Sequence, residues 1–121
     1  MAEGFANRYG SDVLTARSSG LASTQSLARD TRLVMQEINI DISKHVPRPY
    51  DPFDAITYDL VVNMAGYRLP GHPPKEVIEW KVPDPYGSTV AEYRKARDTI
   101  EQLVMRLILD LRRKAGSAPR R

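Results

Sequence analysis

Helical periodicities separated by short apolar runs predict an α/β domain built on a parallel sheet. Three observations carry this: residues 60–64 are apolar except for Asn63, residues 77–82 alternate between apolar and charged, and a long apolar stripe runs from Tyr93 to Leu111. An unbroken apolar run fits a strand covered on both faces, alternation fits a half-exposed outer strand, and the stripe fits a helix packed along one side. The 121 residues suffice for one compact domain, and 41% hydrophobic with 27% charged residues is ordinary globular usage.

The elements follow in order. Ala2, Phe5, Ala6 and Tyr9 recur at helical spacing and Gly10 offers a stop, so the chain opens inside a helix. No Ser, Thr, Asp or Asn precedes that helix to satisfy its first N–H groups. Residues 13–19 read as a short strand running into Gly20. Ser23 or Thr24 then caps a helix with Leu27, Thr31, Val34, Met35 and Ile38 on one face. Pro47, Pro49 and Pro52 make residues 39–58 a loop with little regular structure. The strand at 60–64 is placed near the sheet centre. A second loop, residues 65–75, carries Pro70, Pro73 and Pro74 and leads to the outer strand at 77–82.

After the turn Pro83-Asp84-Pro85-Tyr86-Gly87, Thr89 and Glu92 form a capping box. Tyr93, Ala96, Ile100, Leu103, Val104, Leu107, Ile108 and Leu111 continue as the apolar stripe of a closing helix. One domain is expected over residues 1–114, with residues 115–121 as a flexible basic tail.

The formal charge of +3 is concentrated in Arg112, Arg113, Lys114, Arg120 and Arg121. Cations at a helix C-terminus complement its dipole, and this reading is preferred to a nucleic-acid or lipid contact. No apolar run approaches the roughly twenty residues needed to span a bilayer, and no charged-then-apolar segment opens the chain. A cytoplasmic protein is expected, bound neither to membrane nor to nucleic acid. Cysteine is absent, which excludes disulfides, thiolate metal sites and cysteine nucleophiles within these residues. His45 and His72 share no ligand spacing, and Asp51, Asp54 and Asp59 lack the pattern of a calcium loop. Neither a metal nor a cofactor is expected, since no Gly-rich nucleotide loop is present either.

In a βαβ unit a strand delivers the chain to each helix, yet the first helix here has none before it. The sheet is therefore expected to be one strand short.

Met1-Ala2-Glu3-Gly4-Phe5-Ala6, the strand end Ser18-Ser19-Gly20-Leu21 and the run Tyr58-Asp59-Leu60-Val61-Val62-Asn63-Met64 occur in that order. Trp80-Lys81-Val82-Pro83-Asp84-Pro85-Tyr86-Gly87 and Tyr93-Arg94-Lys95-Ala96-Arg97-Asp98-Thr99-Ile100 follow. Together they resemble the low-molecular-weight tyrosine phosphatase and arsenate reductase family over nearly the whole chain. The resemblance implies a flavodoxin-like, three-layer fold with a parallel sheet in the order 2-1-3-4. In the family, the first and central strand runs into a Cys-x-x-x-x-x-Arg-Ser loop that cradles phosphate at a helix N-terminus. Met1-Ala2-Glu3 resembles the sequence just after that loop. Central strand, nucleophile and phosphate-binding arginine, about twenty residues, are thus expected to be missing, and Met1 to be an internal methionine. In-frame codons upstream for an apolar strand and a Cys-x5-Arg loop would bear this out.

For complete relatives the resemblance implies a phosphocysteine mechanism acting on a phosphorylated protein, a small aryl phosphate or another oxyanion. Asp84 matches the general acid that protonates the leaving oxygen, and Tyr86 matches an aromatic wall of the substrate cleft. Ser18 and His45 match groups that hold the phosphate loop. Each has a plainer reading: Asp84 as an Asp-Pro turn residue, Tyr86 as a surface aromatic, Ser18 and His45 as local loop partners. The chain is expected to be inactive without the loop cysteine. Residues 65–74 also lack the two cysteines of a thioredoxin-coupled arsenate reductase, which favours phosphatase descent over arsenate reductase. The other alternative is a non-catalytic binding remnant that forms homodimers through exposed sheet edges.

Overall fold

The computed structural model describes residues 1–20 and 29–117. Helix α1 spans Ala2–Tyr9, α2 Arg29–Gln36, the one-turn α3 Pro52–Ala55, and α4 Val90–Ser117, while strands β1 and β2 span Val61–Asn63 and Val77–Glu79. The strands pair in parallel, Val61 opposite Val77 and Asn63 opposite Glu79. The long loop joining them supplies the crossover that parallel pairing requires. This is an α/β arrangement consistent with a flavodoxin-like fold, a small parallel sheet accompanied by helices.

The core lies where α4 crosses α1 and α2. Phe5, Val34, Met35 and Ile108 are fully buried, and Tyr93, Ile100 and Val104 nearly so. Gly10 ends α1 and lets it approach α4 closely: a Cβ there would stand 2.7 Å from Cγ1 of Ile108. Arg112 of α4, one turn beyond Ile108, closes the same end of this contact, donating to the Tyr9 carbonyl at 2.8 Å and pairing with Asp12 at 2.9 Å. The first arginine of the basic stretch is thereby committed to the C-terminus of α1, whose carbonyls attract a cation.

Helix α2 is tied to α4 by charge. Glu37, just past its end, accepts two parallel bonds from Arg94 and a third at 2.7 Å from Arg97. Arg97 also donates to the Val34 carbonyl at 2.9 Å, which the end of α2 would otherwise leave open. Asn39 adopts a left-handed φ of 63°, the conformation in which a chain commonly leaves a helix.

Four sequence expectations need correction. Residues 13–19 form no strand; only Gly20 makes a parallel bridge, to Pro49. Neighbouring side chains take the place of a strand there: Asn7 accepts from the Ala16 N–H at 3.0 Å and donates to its carbonyl at 3.1 Å. The loop at 39–58 contains α3, because Asp51 caps it through the Phe53 N–H and Pro52 pre-sets its first turn. The outer strand ends at Glu79 rather than Val82, although Trp80 still donates to the Asn63 carbonyl. The expected tail from 115 is helical as far as Ser117. Ser23, Thr24 and Leu27, assigned to the start of the second helix, lie outside the described residues, as do residues 118–121. The capping box is seen in its first half, with the Glu92 N–H donating to Thr89 Oγ1 at 3.3 Å.

The central placement expected of β1 is not met among the described residues: the sheet has two strands, so β2 flanks one edge of β1 and the other edge borders a cavity of about 520 Å³. Val61 and Val62 are accordingly only half-buried, whereas Asn63 is 5% exposed. Asn63 is the polar residue that interrupts the apolar run, and its side chain organises the next turn. It donates to the Tyr67 carbonyl at 2.8 Å and accepts from the Ala65 N–H at 2.9 Å. Among the described residues no helix is long and apolar enough to cross a membrane.

Candidate functional site

Two of the sequence-identified residues are brought together directly. Ser18 Oγ stands 3.4 Å from His45 Nε2, and His45 Nδ1 lies 2.9 Å from a carboxylate oxygen of Glu3. The other Glu3 oxygen accepts from the Ser18 backbone N–H at 2.8 Å. The acid therefore grips both partners. Its carboxylate accepts from Nδ1 of the imidazole, and Nε2 faces the Ser18 hydroxyl. Glu3 is well placed in the first turn of α1, where an anion meets the positive end of the helix dipole. Sequence reasoning missed it; its position in an uncapped first turn was the available signal.

Asp84 and Tyr86 form a second group, on the turn that leads from the end of β2 into α4. Asp84 Oδ1 accepts from the Tyr86 N–H at 3.0 Å, an Asx turn, and Gly87 completes the bend with φ of 77°. The carboxylate is exposed, and the Tyr86 ring is 77% exposed. The plainer reading of Asp84 as a turn former is thus realised in its geometry, and a free second oxygen leaves room for a chemical role as well. Tyr93 anchors the turn from below. It is 3% exposed, and its hydroxyl meets the backbone of Gly87. Burial, then the nearby Asp30 and Asp84 carboxylates, push its phenol above the usual range. The sequence showed Tyr93 only as part of an apolar stripe, yet a tyrosine at the head of such a stripe has a polar end that must find a partner.

Among the described residues no hydrogen bond joins the Ser18–His45 pair to the Asp84 turn. Ser18 and Glu3 instead border the cavity beside β1. Its walls come from the extended segment ending at Gly20, from β1, from α1 and α4, and from the loop around Tyr50. Among the described residues no cluster of His, Asp or Glu could hold a metal ion.

The domain thus carries a parallel α/β sheet, an Asp-Pro-Tyr turn beyond its outer strand, and a Ser–His–Glu chain of which Ser18 and Glu3 border the cavity beside β1. The chain belongs to the family described as low molecular weight phosphotyrosine protein phosphatase, whose profile matches residues 1–117. It is 33% identical over 113 residues to a glutaredoxin arsenate reductase of Synechocystis sp., a match covering 89% of this chain and 85% of that protein. Solved structures are similar too. An arsenate reductase in the oxidized state superposes with a TM-score of 0.80 at 31% identity, covering 91% of this chain and 86% of the other. An arsenate reductase in the phosphate binding state gives a TM-score of 0.78 at 30% identity with the same coverage.

Proposed function

We propose that this chain is a phosphatase-like protein bearing the acid and the cleft wall of an oxyanion site, and that it is inactive by itself in covalent phosphoryl transfer. One observation carries the reading: the Asp-Pro-Tyr turn is present in a polypeptide without a single cysteine. Asp84 is the proton donor to the leaving oxygen of a phosphorylated protein or small aryl phosphate. One of its oxygens is held by the turn, which fixes the carboxyl while the other carries the proton. Tyr86, on the same turn, supplies an aromatic wall for an aryl leaving group. Ser18 and His45 hold polar groups in place at the border of the cavity.

Protonating the leaving oxygen breaks a phosphorus–oxygen bond only if something receives the phosphoryl group. In the family mechanism a thiolate does so. These residues offer none, and an aspartic acid has nothing to assist.

A second reading, arsenate handling, is favoured by the names of the relatives. A disulfide relay across residues 65–74 is excluded by their composition, so arsenate turnover would depend on an external thiol.

The test is turnover of para-nitrophenyl phosphate by the purified 121-residue chain, alongside arsenate with glutathione. The expected result is no turnover of either. Phosphate ester hydrolysis that disappears in Asp84→Asn would overturn inactivity and reveal an unforeseen nucleophile. Arsenate-dependent thiol oxidation without ester hydrolysis would decide for the second reading.

A further inference from the structure

Residues 84–88 form a turn that holds itself together but is barely tied to the rest of the molecule. The Tyr86 N–H donates to Asp84 Oδ1 at 3.0 Å, and the Ser88 N–H to the Pro85 carbonyl at 2.8 Å. Both bonds lie inside the turn. Its tip is open: a Cβ at Gly87 would meet no atom within 4 Å, and the Tyr86 side chain is mostly exposed. A turn closed only on itself can swing as a unit about its two ends, because few contacts oppose the motion.

One side chain from outside the turn reaches it. Tyr93 belongs to the first turn of α4, where its own N–H donates to the Thr89 carbonyl at 3.1 Å, so its backbone is fixed to the helix. Its side chain is buried, as are Ala96 and Ile100 of the same stripe. To fill an apolar stripe a phenylalanine would serve as well, and a hydroxyl is costly to bury unless it is bonded. Here the phenolic oxygen takes the Gly87 N–H as its partner. Around it stand the carboxylates of Asp30, on α2, and of Asp84, with the phenol of Tyr86.

We propose that Tyr93 is the positioning residue of the candidate acid: its hydroxyl tethers Gly87 to α4, and the tethered turn holds the Asp84 carboxylate in one orientation. Tyr93 has this role only if Asp84 is the proton donor, the reading on which the assignment rests. A general acid works only while its proton lies within hydrogen-bond reach of the leaving oxygen, so the orientation of the turn sets how often the acid is in place. The path is short. It runs from the Tyr93 hydroxyl to the Gly87 N–H, along one peptide unit to Tyr86, and from the Tyr86 N–H to Asp84 Oδ1. Its fixed end is α4, whose stripe supplies Ile100, Val104 and Ile108 to the core, and a group held from a helix is placed more sharply than one held from a loop.

Amide hydrogen exchange of the whole chain, followed by NMR, tests the tether in Tyr93→Phe, which keeps the buried ring. Measured against Val104, buried in the middle of α4, the Gly87 amide should exchange about tenfold faster than in the unmodified chain, the factor expected of one lost hydrogen bond. The Tyr86 amide should move in the same direction. A tyrosine that serves only the core would speed all three amides by the same factor, and that result overturns the proposal. A Tyr86 amide that tracks Val104 overturns the link to Asp84. The second readout is the ring Cζ resonance of Tyr93 in protein carrying isotope-labelled tyrosine, as pH falls through the carboxylate range. Asp84 and Asp30 both face the hydroxyl, so the resonance should move in a step that Asp84→Asn reduces and Asp84→Asn with Asp30→Asn abolishes. A step that Asp84→Asn leaves unchanged places the hydroxyl away from the turn and overturns the proposal. Neither readout involves turnover, so a failure of the tether is distinguishable from a failure of Asp84 as the acid.

Discussion

Helix α4 presents one apolar stripe to two different neighbourhoods. Toward α1 and α2, Ile100 and Ile108 are buried, and Ile108 has no exposed surface at all. Toward the cavity, Leu107 and Leu111 are only half-buried although they are equally apolar. The comparison separates what hydrophobicity specifies from what packing delivers. A side chain stabilises in proportion to the apolar area it removes from water, and the cavity side removes less.

The largest effect should come from contrasting these two sides. Ile108→Ala removes a fully buried side chain between α1 and α4 and should cost about 2–5 kcal/mol. Leu111→Ala, on the cavity side, should cost less than about 1 kcal/mol, because its site is already open. Urea unfolding measures both. Equal losses would mean that the cavity is closed in solution. Gly10→Ala probes the same packed side by crowding it: the new Cβ would press on Ile108 Cγ1 at 2.7 Å, and the overpacking should cost about 1–3 kcal/mol. A neutral result would show that α1 can move away from α4.

The junction of α2 and α4 tests a polar version of the contrast. Arg97→Met keeps most of the apolar stem but strands the Val34 carbonyl, and should cost about 1–3 kcal/mol. Arg94→Met removes an exposed partner of the same Glu37 and should cost clearly less than Arg97→Met. If the two variants are equally stable, the bond to Val34 contributes nothing and the cluster is a surface ion network only.

The same contrast explains how much of the molecule was legible in its sequence. Helix periodicity found α1 and α4 and the apolar face of α2, because those faces meet other helices and are decided locally. Strands depend on neighbours, and residues 13–19 show the limit: their apolar positions imply a strand, but the Ala16 backbone is satisfied by Asn7 and not by a ladder. Helix α3 was hidden because prolines were read as loop residues, although Pro52 after Asp51 is a helix start. At the candidate site, the proximity of Ser18 and His45 followed from a family resemblance. Glu3, which holds both, stood in the sequence only as part of the segment Met1–Ala6 in an uncapped first turn, and its contacts became visible in three dimensions.

The smallest expected effect lies in the pH dependence of the surface pairs that close these junctions. Glu37 is held below its ordinary value of 4.5, first by its hydrogen bond from Arg94 and then by Arg97, and Asp12 below 3.8 by its bond from Arg112. Asp41 is lowered too, through Ser43. A carboxylate with a depressed folded-state value contributes stability that is fully present above its unfolded value and lost as pH falls through the folded one. Unfolding midpoints in urea should therefore be flat from about pH 7 to 5 as far as these groups are concerned, and decline below about pH 4.5. The arginine partners stay charged throughout, so the carboxylates alone set the window. Because Glu37 and Asp12 lie at the surface, the decline should be shallow and weaken further in high salt. Glu37→Gln should remove part of it. A midpoint that rises on acidification would show that these pairs are not formed in solution, and that α2 and α4 are held together by their apolar contact alone.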